Sequence, residues 1–155
     1  MQDSEHHQES FWRKYIFSTD HKVIGIQYGI TALVFLFLGF SLMMIMRWQL
    51  AYPDTAIPFL GSLIKWLASV NGYASDGNLP ADLYNAFGAM HGTIMIFLGV
   101  VPLIVGAFGN YLVPLQIGAP DMAFPKLNMA SYWVYFIGGF VMFFSFFLPG
   151  GAANS

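Results

Sequence analysis

Three long apolar segments divide the chain, and each is long enough to cross a membrane as a helix. They are residues 23–46, about 83–108 and 129–148. At a rise of about 1.5 Å per residue, roughly 20 apolar residues cover the hydrocarbon core of a bilayer. The pattern therefore predicts an all-α fold, a polytopic membrane helix bundle with three transmembrane helices.

The segments between these helices have patterns of their own. Residues 1–22 are a polar tail followed by an aromatic and cationic stretch typical of an interfacial segment. In the 48–83 loop, four apolar residues recur at helical spacing and predict a short amphipathic helix over 60–67. Pro102 predicts a kink in the second helix. The Pro- and Gly-rich stretch 110–128 is expected to be a connector.

Cation placement predicts the orientation of the helices. Arg13, Lys14 and Lys22 precede the first helix, and Lys126 lies between the second and third, whereas the 48–83 loop has only Lys65. Because cytoplasmic loops carry the excess of Lys and Arg, the N-terminus is expected in the cytoplasm. The second helix then returns from the outer side.

Composition narrows the class of protein. The chain is 57% hydrophobic and only 9% charged, against about 25% charged for soluble domains. With a net charge of −2, the chain lacks the positive charge that would favour nucleic-acid binding. Because there is no Cys, disulfides and thiolate metal ligands are excluded. The N-terminus lacks a basic n-region and the first apolar run exceeds a signal-peptide core, so this run is expected to stay as an anchor.

His91 is the only ionisable side chain between residues 86 and 108. Lipid offers an imidazole no hydrogen-bond partner, so His91 must face protein, water or a metal. Gly88 and Gly92 bracket it, and Gly92, Gly99 and Gly106 repeat at intervals of seven. A glycine face admits either another helix or a flat macrocycle. Two interpretations of His91 remain open: it packs against a neighbouring helix, or it ligates haem iron.

Two further charged residues have alternative interpretations. Asp121 is the only acid after the second helix, and Asn110 and Asn128 flank it. A carboxylate at a membrane mouth can collect protons that amides pass on through ordered water, although a plain surface Asp in a turn fits as well. Arg47, at the outer end of the first helix, can pair with a polar group of a buried cofactor or reach the lipid headgroups.

The order of these motifs resembles subunit I of the haem–copper terminal oxidases, and most closely the aa3-type cytochrome c oxidase branch. The resemblance extends from about residue 12 to the end and is carried by Phe17-Ser-Thr-Asp-His-Lys22 with Gly25, by Arg47-Trp-Gln-Leu50, by the His91 helix and, most specifically, by residues 109–128. It implies the first three helices of a twelve-helix subunit, an N-terminal fragment that is inactive alone.

The resemblance also implies roles for particular residues. His91 would be an axial ligand of the low-spin haem, haem a in this branch, with Arg47 contacting a haem substituent and Tyr84 lying near the propionates. A proton path would run along Asp121 at its entrance, then Asn110, Asn128 and Tyr28. Lys126 stands where relatives commonly have Arg. Gln49 stands where many have a Glu that helps hold a structural Ca²⁺ or Na⁺, so that site is not expected here.

The implied function is reduction of O2 to water with electrons from cytochrome c, coupled to proton pumping. The high-spin haem, CuB and all catalytic residues would lie outside this segment. Expected partners are the rest of subunit I, subunits II and III, cytochrome c and the lipid of a bacterial inner membrane. A quinol oxidase of the same superfamily is the first alternative, and nitric oxide reductases rank below it. A haem-free transporter or assembly subunit is the alternative from another class.

Overall fold

The computed structural model describes Trp12 and residues 15–150, and every regular element in that part of the chain is helical. The predictions for residues 1–11, Arg13, Lys14 and 151–155 lie outside the described residues. The helices are α1 (His21–Ala51), α2 (Gly61–Val70), α3 (Ala81–Ile117) and α4 (Pro125–Phe144), and a 3₁₀ turn (Ser145–Phe147) extends α4. Three of them, α1, α3 and the extended α4, are long and apolar enough to cross a membrane. The predicted all-α class with three spans is confirmed.

Local chemistry defines where α1 and α4 begin. The Asp20 carboxylate accepts the backbone N–H of Lys22 at 2.9 Å, which caps the first turn of α1. α4 begins at Pro125, a position where the missing N–H of proline has no cost. At its other end α1 continues to Ala51, so Arg47 lies within the last turns of the helix.

The predicted connector 110–128 is wrong at both ends, since residues 125–128 already belong to α4. Residues Asn110–Ile117 continue α3, and the connector is only residues 118–124. Pro114 removes one helical N–H without ending the helix. The helix ends at Gly118, which adopts the left-handed conformation (φ 68°), and the N–H of Ala119 donates to the Pro114 carbonyl at 2.9 Å.

α3 departs from α-helical geometry around Pro102, where the sequence predicts a kink. Residues Ile94–Val100 and Pro102–Gly109 form π-helical turns. Proline cannot donate the N–H that an α-helix needs at this position, and wider turns are a common response to such a break. The irregular part of α3 begins three residues after His91.

α1 and α3 pack closely along their length, because glycines at the contact have no side chains to hold the two helices apart. A Cβ added to Gly99 would lie 2.5 Å from a methyl carbon of Leu36, and one added to Gly106 would lie 2.5 Å from the ring of Tyr28. Gly39 of α1 contributes in the same way, since an added Cβ would lie 2.8 Å from Met95 Sδ. Glycines therefore set the close approach of these two helices.

We expect Gly106→Ala to destabilise the protein, because Tyr28 Cγ, which is close to the α1 backbone, would lie 2.7 Å from the new methyl group. Such overpacking typically costs about 1–3 kcal/mol, measurable as a lower thermal unfolding temperature of the purified complex. Gly109→Ala is the matched control, since its Cβ would meet only the Ile104 carbonyl at 3.9 Å. Equal unfolding temperatures for the two variants would contradict the packing argument.

The predicted amphipathic helix exists as α2 and covers one end of the bundle. Its Ile64 and Leu67 are buried with the core, whereas Leu63 remains 48% exposed. Just after α2, the Asn71 amide donates to the carbonyls of Leu67 at 2.9 Å and Phe146 at 3.1 Å. α2 is thus tied to the end of α4.

The loop between α1 and α3 is closed at its base. The side-chain carbonyl of Gln49 accepts the backbone N–H of Leu79 at 2.9 Å, and the N–H of Ile57 donates to the Gly77 carbonyl at 2.9 Å. Gln49 stands where the family resemblance implies a Glu in many relatives. Here its side chain joins the two ends of this loop.

Candidate functional site

His91 lies in α3 and faces the backbone of α1. Its Nδ1 is 2.8 Å from the carbonyl oxygen of Gly39. A carbonyl only accepts hydrogen bonds, so Nδ1 carries the proton, and Nε2 of the neutral ring keeps its lone pair. Histidines that bind a metal usually hold the other ring nitrogen in this way, which sets the tautomer and the ring orientation. In this tautomer the neutral ring offers Nε2 to a metal.

The glycines near His91 differ in what they face. Gly99 and Gly106 face α1 side chains, and a Cβ on Gly88 would lie 3.3 Å from Met46 Cε. A Cβ on Gly92, in contrast, would meet no atom within 4 Å. Helix packing therefore accounts for Gly99 and Gly106, and open space adjoins the His91 turn at Gly92.

Arg47 and Tyr84 do not join His91 in a hydrogen-bonded cluster among the described residues. Arg47 is exposed, and Tyr84 is half-buried against the core that contains Met46 and Met90. Both lie toward the end of the bundle where α1 ends and α3 begins.

The described part of the chain holds no group of three or more His, Cys, Asp or Glu side chains arranged for a metal ion. A haem needs no such group, because the macrocycle supplies four nitrogens and the protein supplies axial ligands. The bond that fixes His91 Nδ1 and the open space at the neighbouring Gly92 fit a residue that would hold a haem.

At the opposite end of the bundle, Asp121 pairs with His21. Asp121 Oδ1 lies 3.2 Å from His21 Nδ1 and accepts the Met122 N–H at 2.7 Å. The Asp121 side chain is 42% exposed, whereas His21 is 2% exposed. His21 Nε2 is buried and has no hydrogen-bond partner among the described residues.

Sequence reasoning did not identify His21 as a site residue, since it precedes Asp121 by 100 positions. The usable signals were its place on the same predicted membrane side and its position in the motif of residues 17–22.

The remaining polar candidates divide into a connected chain and one separate residue. The Tyr28 hydroxyl lies 3.0 Å from Ser131 Oγ, and Ser131 Oγ donates to the Asn128 carbonyl at 2.7 Å. The Asn128 amide contacts Met122 Sδ at 3.0 Å. Asn110 is buried, and its amide donates to the Gly106 carbonyl of its own helix at 2.7 Å. Ser131 is therefore a second polar residue that the sequence reasoning missed.

These features define an all-α integral membrane protein with a histidine fixed between two spans and a polar cluster at one end. Residues 23–155 match the family described as Cytochrome C and Quinol oxidase polypeptide I, and the chain belongs to this family. The predicted family is confirmed.

Individual relatives agree with this assignment. The chain is 43% identical to cytochrome c oxidase subunit 1 of Thermostichus vulcanus, over 97% of its length and 24% of that protein. It is 40% identical to the alternative cytochrome c oxidase subunit 1 of Bradyrhizobium diazoefficiens, over 97% of the chain and 22% of the relative. Identity to cytochrome c oxidase subunit 1 of Cereibacter sphaeroides is 36%, over 95% and 27%. The chain spans about a quarter of the length of these relatives.

Proposed function

We propose that this chain forms part of the catalytic subunit of a respiratory terminal oxidase, which reduces O2 to water with electrons from cytochrome c and pumps protons. Family membership and relatives named cytochrome c oxidase support the oxidase role. Within that enzyme, this segment supplies one axial ligand of a low-spin haem and the entrance of a proton path.

The observation that carries the haem assignment is the hydrogen bond from His91 Nδ1 to the Gly39 carbonyl. It holds the ring against α1 and leaves Nε2 to bind iron. Haem a, when bound there, supplies one-electron transfer. Arg47 contributes a guanidinium that can pair with a polar haem substituent, and Tyr84 contributes a hydroxyl near the propionates. The high-spin haem and CuB are bound by parts of the subunit outside this segment.

The proton path begins at Asp121. Its exposed carboxylate takes protons from the cytoplasm, and His21 holds that carboxylate from the buried side at 3.2 Å. The chain from Asn128 through Ser131 to the Tyr28 hydroxyl offers polar groups that order water along α1 and α4. Asn110 adds a buried amide on α3.

The proposed setting is the inner membrane of a bacterium, with the N-terminus in the cytoplasm. The remaining part of subunit I, subunits II and III, and cytochrome c as electron donor complete the assembly. Family membership and relatives named as subunits of cytochrome c oxidases support a multi-subunit assembly of this kind.

A quinol oxidase is the second candidate, because the family description covers both electron donors. The haem-free transporter or assembly subunit has no comparable support, since the family and its named relatives are oxidases.

A reduced-minus-oxidised visible spectrum of the intact complex, combined with oxygen uptake, tests the proposal. We expect an a-type haem spectrum and oxygen uptake driven by reduced cytochrome c. Uptake driven by a quinol, and not by cytochrome c, would favour the second candidate. A complex without a Soret band would contradict both.

A further inference from the structure

One backbone carbonyl in α3 lacks its usual donor and receives another from α4. In an α-helix the Leu98 carbonyl accepts the N–H of residue 102. Residue 102 is proline, which has no N–H. The Tyr135 hydroxyl of α4 donates to the Leu98 carbonyl at 2.7 Å. A side chain of the neighbouring helix thus supplies a hydrogen bond to the carbonyl that Pro102 could not serve in an α-helical register.

The surroundings of Tyr135 hold its hydroxyl in place. Its ring stacks on Tyr28 at a centroid distance of 5.3 Å and meets Phe35 edge-on at 6.0 Å. Leu98 is 7% exposed and Pro102 is buried. Within a membrane span no bulk water replaces a lost donor, so solvent does not compensate for loss of the tyrosine hydroxyl.

The break matters because α3 carries a candidate site residue on each side of it. His91 precedes Leu98 by seven residues, and Asn110 follows Pro102 by eight. The π-helical turns Ile94–Val100 and Pro102–Gly109 lie on the two sides of the break. These irregular turns begin three residues after His91, in the same helix that carries its ring toward the Gly39 carbonyl.

We infer that Tyr135 is a positioning residue for His91, an inference that rests on the proposed haem ligation. The hydroxyl fixes the broken turn of α3 from the α4 side, while the bond between His91 and Gly39 fixes the same helix from the α1 side. Removing the hydroxyl loosens the turn and lets the ligand ring move.

The chain offers a matched control and a specific rescue. Tyr132 lies one turn from Tyr135, but its hydroxyl pairs with Thr31 of α1 at 3.0 Å. Tyr132→Phe therefore removes a buried tyrosine hydroxyl without touching the α3 backbone. Pro102→Ala restores an N–H to the position from which an α-helix satisfies the Leu98 carbonyl.

The experiment measures amide hydrogen exchange and the low-spin haem spectrum of the intact complex. Tyr135→Phe is expected to speed exchange in residues 98–106 by about fivefold to tenfold, the effect of losing one hydrogen bond. It is also expected to shift or broaden the low-spin haem band. Tyr135→Phe combined with Pro102→Ala is expected to return both signals toward wild type, and Tyr132→Phe is expected to change neither.

Unchanged exchange in Tyr135→Phe, an equal effect of Tyr132→Phe, or no rescue by Pro102→Ala would overturn the inference. Amide hydrogen exchange measures the stability of α3 whether or not His91 binds haem. The positioning role of Tyr135 and the haem ligation by His91 can therefore be tested independently. If His91→Ala abolishes the haem band while Tyr135→Phe leaves exchange unchanged, only the role of Tyr135 is wrong. If His91→Ala keeps the band, the haem ligation is wrong and His91 is not the group that Tyr135 positions.

Discussion

His91→Ala is expected to abolish the low-spin haem signal in the reduced-minus-oxidised spectrum of the assembled oxidase. The substitution removes the nitrogen proposed to bind iron, and no other histidine lies between residues 86 and 108 to replace it. The hydrogen bond to the Gly39 carbonyl is lost in the same step. Because the haem that His91 would hold supplies electron transfer, turnover with cytochrome c should fall to background.

Thr93→Ala is the matched control for that variant. Thr93 lies two residues from His91, and its hydroxyl donates only to the Ala89 carbonyl of its own helix, at 2.9 Å. We expect its spectrum and turnover to match wild type. A normal low-spin signal in His91→Ala would return His91 to a packing role, with its bond to Gly39 as its only function.

Asp121→Asn is expected to lower turnover about a hundredfold, the lower end of what a positioned proton-transfer group contributes. The amide has the shape of the carboxylate and can still accept the Met122 N–H, which Asp121 accepts at 2.7 Å. It cannot bind and release a proton near neutral pH. Oxygen uptake and proton uptake in reconstituted vesicles should therefore fall together while the haem spectrum stays unchanged.

Asp82→Asn separates loss of charge from loss of the proposed entrance. Asp82 is also an exposed carboxylate, but it lies in the first turn of α3, at the other end of that helix. We expect its turnover to equal wild type. If Asp121→Asn keeps wild-type turnover and proton uptake, protons do not enter at this residue.

The three spans could be predicted because a bilayer demands long uninterrupted apolar helices, and run length alone reports them. The end of α3 could not, because Pro114 signals a break within the helix and the actual stop is the left-handed backbone at Gly118. Which residues terminate a helix depends on hydrogen bonds that residue types indicate only weakly.

Candidate site residues could be predicted where a rare ionisable side chain stands out in apolar sequence. Their partners could not be predicted where the contact forms only in the tertiary structure. His91 and Asp121 stand out in apolar sequence, but the partner of His91 is a backbone carbonyl that has no side-chain signature. His21 meets Asp121 only because α1 begins on the side of the bundle where α3 ends in the connector. The seven-residue glycine repeat did not reveal that Gly92 faces open space, since the π turns change which side of α3 each later glycine occupies.

Because the loop between α1 and α3 is closed at its base, the length of the loop can change without changing the distance between the two helices. Gln49 and Leu79 are joined at 2.9 Å, and Ile57 and Gly77 close a second rung above them. The turn at Gly72 lies beyond both rungs, and a Cβ there would meet nothing within 4 Å. Evolution can therefore lengthen or shorten the tip of this loop, and an engineer can insert a peptide tag there, without moving the helix that carries His91.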